Sequence, residues 1–278
     1  MRTFARDGLV FEVRDEGPAD GTVVVLLHGF PQDSTAWDGV VGPLHAAGYR
    51  TLAPDQRGYS IGAMPKSAKA YKQAELVADV LALLDAADVE KAHIVGHDWG
   101  GSVAWHFASE HPERCLSMTS LSTPHPGAFK AVALRSTQLL KSWYMGMFQI
   151  PKVSESILRP GGSAWRALSR GLPGHQAQHY EESMSRPGAL TSALNWYRAL
   201  PKDIANPSMK LHRITVPVLY IWGERDPALG RAAAEATGDF VTADYTFVAL
   251  AGVGHWVPET NPDAVADEML AFFERIQA

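Results

Sequence analysis

The stretch TVVVLLHG at residues 22–29 is a continuous β-branched and leucine run ending in a polar turn, without the every-second-residue alternation of a strand that has one face in water, and KAHIVGHD at 91–98 is read as a second buried strand. A strand buried on both faces must be covered on both sides, which is the arrangement of a parallel sheet sandwiched between helices. LVFEVRDEG, by contrast, alternates as a half-exposed strand does. YRTLAPDQRG, CLSMTSLSTPHPG, VPVLYIWGERDP and YTFVALAGVGH supply further strands. Between them lie helical patterns. One starts after Ser34 as N-cap and runs to about Ala47; another, AELVADVLALLDAADV, sets Leu76, Val77, Val80, Leu81, Leu83 and Leu84 on one face. WGGSVAWHFASEHP is a helix stopped at Pro112, and NPDAVADEMLAFFERIQA is a closing helix with proline in its first turn. Strand and helix in alternation predict a doubly wound α/β fold with a mostly parallel central sheet.

One segment breaks this rhythm. From about Gly127 to Met209 no strand-like run occurs, and helical patches are separated by Pro151, Pro160-Gly161-Gly162, Pro173-Gly174, Pro187-Gly188 and Pro201. The division expected is a core of residues 1–126 and 210–278 with a helical cap of residues 127–209 inserted after the sixth strand. Trp143, Tyr144, Phe148, Trp165, Tyr180, Trp196 and Tyr197 either pack this insertion or roof a pocket over the carboxyl edge of the sheet.

A net charge of −5 without blocks of like charge offers no footprint for nucleic acid or an anionic membrane, so a small neutral partner is expected. The charged start MRTFARDGLVFEVRDEG has no run suited to a signal peptide, and a cytoplasmic location is expected. Cys115 is the lone cysteine and reads as a small buried apolar residue. Oligomeric state is open, a homodimer included.

Gly96-His97-Asp98-Trp99-Gly100 has the glycine-x-nucleophile-x-glycine form of a sharp strand-to-helix turn that pushes its central side chain out over a sheet, here Asp98. Alone the pattern also suits a helix N-cap. Two partners lie downstream, each just after a strand: Asp226 in WGERDP and His255 in GVGHWVPE. Each alone also fits a plain loop residue, but nucleophile, acid and histidine in that order make a hydrolytic triad.

The motifs HGFP (28–31), DQRGYS (55–60), GHDWGG (96–101), NWYR (195–198), WGERD (222–226) and GHWVPETNP (254–262) make the chain resemble, over nearly its whole length, the epoxide hydrolases of the α/β-hydrolase fold. The resemblance implies an ether-bond hydrolase that opens an apolar epoxide to a vicinal diol with water, uses no cofactor and no metal, and passes through an ester on Asp98. It implies that Tyr144 and Tyr197 hold the epoxide oxygen from the cap, that Asp226 and His255 activate water, and that the backbone N–H groups of Phe30 and Trp99 form the oxyanion hole. A carboxylate suits this chemistry because it is ionised at neutral pH and needs no base to attack a saturated carbon.

A haloalkane dehalogenase shares the aspartate and histidine, but needs a second N–H donor for halide beside the Trp99 indole; Phe30 stands where an Asn would serve, leaving Trp143 or Trp196. Fluoroacetate dehalogenases carry Arg where Trp99 stands and a further Arg near Ser102. A non-catalytic ligand-binding hydrolase is a third alternative, and its sign would be a lost triad member. A serine esterase is disfavoured because Ser102 lies beyond the elbow apex. His28 and His97 are read as structural, and His175 and His179, although at i, i+4, lack a third metal ligand.

Overall fold

The computed structural model describes residues 1–133, 135, 141, 143–204 and 211–277. Its frame is one eight-stranded sheet of β1 (Thr3–Arg6), β2 (Leu9–Glu16), β3 (Val23–Leu27), β4 (Arg50–Pro54), β5 (Ala92–His97), β6 (Cys115–Leu121), β7 (Val218–Gly223) and β8 (Tyr245–Leu250), in the order β1-β2-β4-β3-β5-β6-β7-β8. The β1–β2 and β2–β4 pairs are antiparallel and the others parallel. The short β1 was missing from the sequence reading, because four residues carry too little pattern to stand out.

All five residues of β3 are buried, and they divide by parity. Val23, Val25 and Leu27 join the core under α2 (Gln73–Ala86) and α3 (Trp99–Glu110), with Leu76, Val80, Leu84, Val103 and Phe107. Val24 and Leu26 join the opposite core under α1 (Asp38–Ala46) and the C-terminal helix, with Val40, Leu44, Met269, Phe272 and Phe273. Full burial of one such side chain contributes roughly 1.5–3 kcal/mol, so a continuous apolar run is stable only where both faces are covered. The expected face of α2 is buried except Leu81, which is partly exposed. The first helix begins differently from the sequence reading: Asp33, not Ser34, caps a 3-10 turn at Ser34–Trp37, and its carboxylate accepts the Thr35 N–H before α1 starts at Asp38.

Between β6 and β7 the described residues form α4 (Pro126–Ala133), α5 (Trp143–Met147), α6 (Val153–Ile157), α7 (Ser163–Leu168), α8 (Gly174–Met184) and α9 (Ala189–Ile204). Near the start of α4, His125 stacks on Phe240 at 4.6 Å between ring centroids. The expected return to the core at residue 210 lies outside the described residues. After β7 come α10 (Arg231–Glu235), α11 (Val257–Thr260) and α12 (Pro262–Gln277), the last being the C-terminal helix above. No described helix is long and apolar enough to cross a membrane.

The chain leaves β3 for β4 on one side and later places β5 on the other. The carboxyl ends of β3 and β5 therefore border a topological switch point, where loops diverge and open a crevice.

Candidate active site

Two loops meet at that crevice. After β5, Asp98 adopts φ 50° and ψ −118°, a region that non-glycine residues occupy only under constraint. The constraint is local crowding. A Cβ at Gly96 would lie 2.1 Å from the Gly100 carbonyl oxygen, so strand and helix approach this closely only through glycine. The Asp98 carbonyl is held by the Ser102 N–H at 3.1 Å and the Thr123 hydroxyl at 2.7 Å. From the β3 side, a Cβ at Gly29 would sit 2.4 Å from the Asp98 Cβ. The bare backbone lets the Phe30 N–H donate to Asp98 Oδ1 at 2.8 Å. The Phe30–Pro31 peptide is cis. Trp99, at the first position of α3, has one of the N–H groups a helix leaves without an internal partner.

Asp226 and His255 follow β7 and β8 at the same sheet edge. His255 Nδ1 lies 2.7 Å from Asp226 Oδ2, and its Nε2 lies 3.5 Å from Asp98 Oδ2. Asp226 Oδ1 accepts the Ala228 and Leu229 N–H groups at 2.7 and 2.9 Å. Burial opposes ionisation of Asp226, but the charge and hydrogen bond of His255 with these two N–H groups hold its carboxyl below the ordinary value. Asp98 is held low in the same sense: burial is outweighed by His255 and the Phe30 N–H. Burial also lowers the affinity of His255 for a proton, and the two carboxylates overcome it, leaving the imidazole far more basic than usual. The three residues found far apart in sequence are thus within contact distance.

The aromatic residues of the insertion divide. Tyr197 on α9 packs edge-on against Trp99 at 4.9 Å and Phe30 at 5.5 Å, and Tyr144 on α5 lies 6.2 Å from Tyr197 between centroids. Burial, then the Asp98 charge, holds both phenols in the protonated form, and Asp226 adds to this at Tyr144. Phe148 packs with them, 4.8 Å from Tyr197 and 5.4 Å from Tyr144 between centroids. The remaining ones serve differently. Trp196 donates its indole N–H to the Arg57 carbonyl at 2.8 Å, Tyr180 donates to Glu259 at 3.1 Å, Trp165 is buried, and Trp143 is 68% exposed.

His28 and His97 sit in structural networks. The Gln56 N–H donates to His28 Nε2 at 3.1 Å. His97 faces two carbonyl oxygens, Gln32 Oε1 and the His255 backbone oxygen, each at 2.8 Å. Burial pushes its pKa down to about 4, and a neutral ring donates to one of the two. His179 does not form a metal pair with His175; it binds Asp33 at 2.7 Å. Among the described residues no cluster of three or more metal-ligating side chains occurs.

Several contributors escaped sequence reasoning. Tyr59, inside the DQRGYS run, adds a third phenol that feels the Asp98 charge. Gln32 links the site to a buried acid: its Oε1 accepts the Gly29 N–H at 2.7 Å and its Nε2 donates to Glu259 at 2.5 Å. Burial raises the Glu259 pKa to about 7, and its Oε2 has no partner among the described residues. Ser122 donates to the His255 carbonyl at 3.1 Å. Only the nearness of Gln32 to HGFP and of Glu259 to His255 in sequence hinted at these roles.

A family model of the alpha/beta hydrolase fold matches residues 22–262. The chain is 36% identical to the AB hydrolase superfamily protein YfhM of Bacillus subtilis, over 96% of each chain. It is 30% identical to Epoxide hydrolase A of Mycobacterium tuberculosis, over 98% of this chain and 96% of that one. Among solved structures, Epoxide Hydrolase A from Mycobacterium thermoresistibile superposes with a TM-score of 0.86 at 28% identity, over 98% and 97% of the two chains. A mutant epoxide hydrolase from Bacillus megaterium, complexed with its naphthyloxy-propane-diol product, does so with 0.87 at 25%, over 98% and 99%. Matched in this way from strand β3 to the C-terminal helix, the chain belongs to the α/β-hydrolase fold family, among its epoxide hydrolase-like members.

Proposed function

We propose that this protein hydrolyses an apolar epoxide to a vicinal diol through a covalent ester on Asp98. The observation that carries this reading is the pairing of a carboxylate at the elbow with two protonated phenols, Tyr144 and Tyr197, within its electrostatic reach. A serine-type acyl transfer has no use for such phenols, whereas an epoxide oxygen leaving as an alkoxide needs a proton. The names of the relatives agree with this class of substrate.

The two oxygens of Asp98 differ. Oδ1 is engaged by the Phe30 N–H, which leaves Oδ2 to attack one ring carbon. The carbon–oxygen bond of the ring breaks, its electron pair goes to oxygen, and a phenol of the cap supplies the proton. Oδ2 becomes the ester oxygen and Oδ1 the ester carbonyl. Ester formation also removes one of the two charges that raise the His255 pKa, so the imidazole loses its hold on a resting proton when it must act as a base. A water then gives a proton to Nε2 and attacks the ester carbonyl carbon. The oxyanion forms at Oδ1, already against the Phe30 N–H, and we assign the Trp99 N–H, which the helix leaves without an internal partner, as its second donor. Collapse expels the diol alkoxide, which takes the proton back from His255; the proton left on the new Asp98 carboxyl returns to His255, replacing the resting proton that the imidazole gave up to the phenolate.

Dehalogenation is disfavoured because the Trp196 N–H is spent on a backbone carbonyl and Trp143 is exposed. The covalent route is tested with enzyme in excess over a styrene-type epoxide in ¹⁸O-water. One turnover should give unlabelled diol and place ¹⁸O in the peptide containing Asp98, while Asp98→Ala is inactive. Label in the first-turnover diol would mean direct attack of water and overturn the scheme.

A further inference from the structure

Tyr197 lies inside helix α9, and four residues on in the same helix stands Pro201. In a regular helix the N–H of residue 201 would donate to the carbonyl of residue 197, but proline has no N–H. The Tyr197 carbonyl is orphaned by the sequence. Gln149, just after α5, fills the gap: its Nε2 donates to the Tyr197 carbonyl at 2.8 Å.

The same NH₂ group donates at 3.1 Å to the carbonyl of Met145, the residue next to Tyr144. That carbonyl is also free, because the Gln149 backbone N–H goes to Gly146. Only the nitrogen end of an amide can serve two carbonyls, so the orientation of Gln149 is fixed by its partners. A reciprocal bond runs the other way. Arg198, next to Tyr197, donates from Nε to the Phe148 carbonyl at 3.0 Å and is anchored by Glu155 at 2.9 Å. The end of α5, one turn from Tyr144, is thereby stapled to α9 at Tyr197 and at its neighbour Arg198.

We propose that Gln149 is a positioning residue for the reaction: it holds Tyr144 and Tyr197 at the separation from which both phenols address one oxygen, and Pro201 creates the acceptor it uses. This rests on the reading of the phenols as proton donors to the opening epoxide. Misplacement by about 1 Å is enough to cost roughly 100-fold in rate. The effect must fall on ester formation, because ester hydrolysis depends on His255 and does not use the phenols.

The rate of ester formation is read alone in a His255→Gln background, as the growth of protein mass by one epoxide. Gln149→Leu and, as a second variant of unchanged shape, Gln149→Glu should each slow it about 10- to 100-fold. In otherwise wild-type protein the hydrolysis of preformed ester should change less than about 2-fold. The deciding variant is Gln149→Leu with Pro201→Ala, which restores the missing N–H within α9. If Gln149 positions, thermal stability recovers while ester formation stays slow. If it merely satisfies a carbonyl, both recover and the inference is overturned. Ester formation at the wild-type rate in both single variants overturns it as well. If instead Tyr144→Phe with Tyr197→Phe leaves ester formation unchanged, the reading of the phenols is what fails, whatever Gln149 does.

Discussion

At the scale of single residues the site depends on where ionisation is favoured. Asp98 is held low although buried, because His255 and the Phe30 N–H stabilise its charge, and burial, followed by that same charge, raises the pKa of Tyr144 and Tyr197. In the proposed scheme nucleophile and acid are thus set against each other, as titratable groups pushed apart in pKa. Since either phenol can partly replace the other, Tyr144→Phe or Tyr197→Phe should each slow ester formation by about 10- to 100-fold, and the double variant by more than either alone. Single-turnover kinetics decide this, and a double variant with unchanged rate counts against the epoxide reading. His255→Gln should react once and stall, with intact mass showing one epoxide added. Unmodified, inactive His255→Gln would count against the two-step scheme.

At the scale of elements, the insertion is tied to the core by a few polar contacts that the hydrophobic pattern does not announce. Asp33 caps the 3-10 turn before α1 through Thr35, and its other oxygen receives His179 at 2.7 Å and Ser183 at 3.3 Å from α8. Tyr180, between them, donates to Glu259. Loss of a cap costs about 1 kcal/mol, and the half-exposed His179 pair adds at most about that much. Asp33→Ala should therefore lower Tm by roughly 2–8 °C, at about 2–4 °C per kcal/mol for a chain of this size. An unchanged Tm in a thermal melt would show that the contact of α8 with the core is carried by its apolar side chains alone. Ser34 looked like the cap in sequence because both residues are good caps. The choice between them depends on which backbone N–H the chain brings within reach.

At the scale of the whole molecule, Glu259 links the sheet edge to the insertion and makes stability depend on pH. Its folded pKa of about 7 lies above the ordinary value, because burial disfavours the charge. The stability this group contributes is full below the unfolded pKa and is lost as pH rises through about 7. Glu259→Gln keeps a neutral hydrogen-bonding group at every pH, so the variant should gain on wild type between pH 5 and pH 8 by roughly 1–3 kcal/mol. Denaturant unfolding at the two pH values measures this; a difference that is the same at both would mean that the carboxyl titrates normally.

Local order was legible along the chain wherever burial imposed a period. The apolar runs of β3 and β5, the face of α2 and the glycines around Asp98 each state a local requirement that one backbone conformation meets. The order of Asp98, Asp226 and His255 could likewise be read, since each stands just past a strand whose carboxyl end must lie on one edge of a parallel sheet. Other features exist only when distant segments meet. The cross-bond of Gln149 to Tyr197, the exposure of Trp143 against the burial of Trp196, and the third phenol at Tyr59 leave no period in the sequence. Neighbouring residues determined the elements and the turn that lifts Asp98, through sterics and hydrophobic periodicity. Only tertiary packing decided which polar groups would lose water together, and hence which carboxylates stay charged, which phenols keep their protons and how basic His255 becomes.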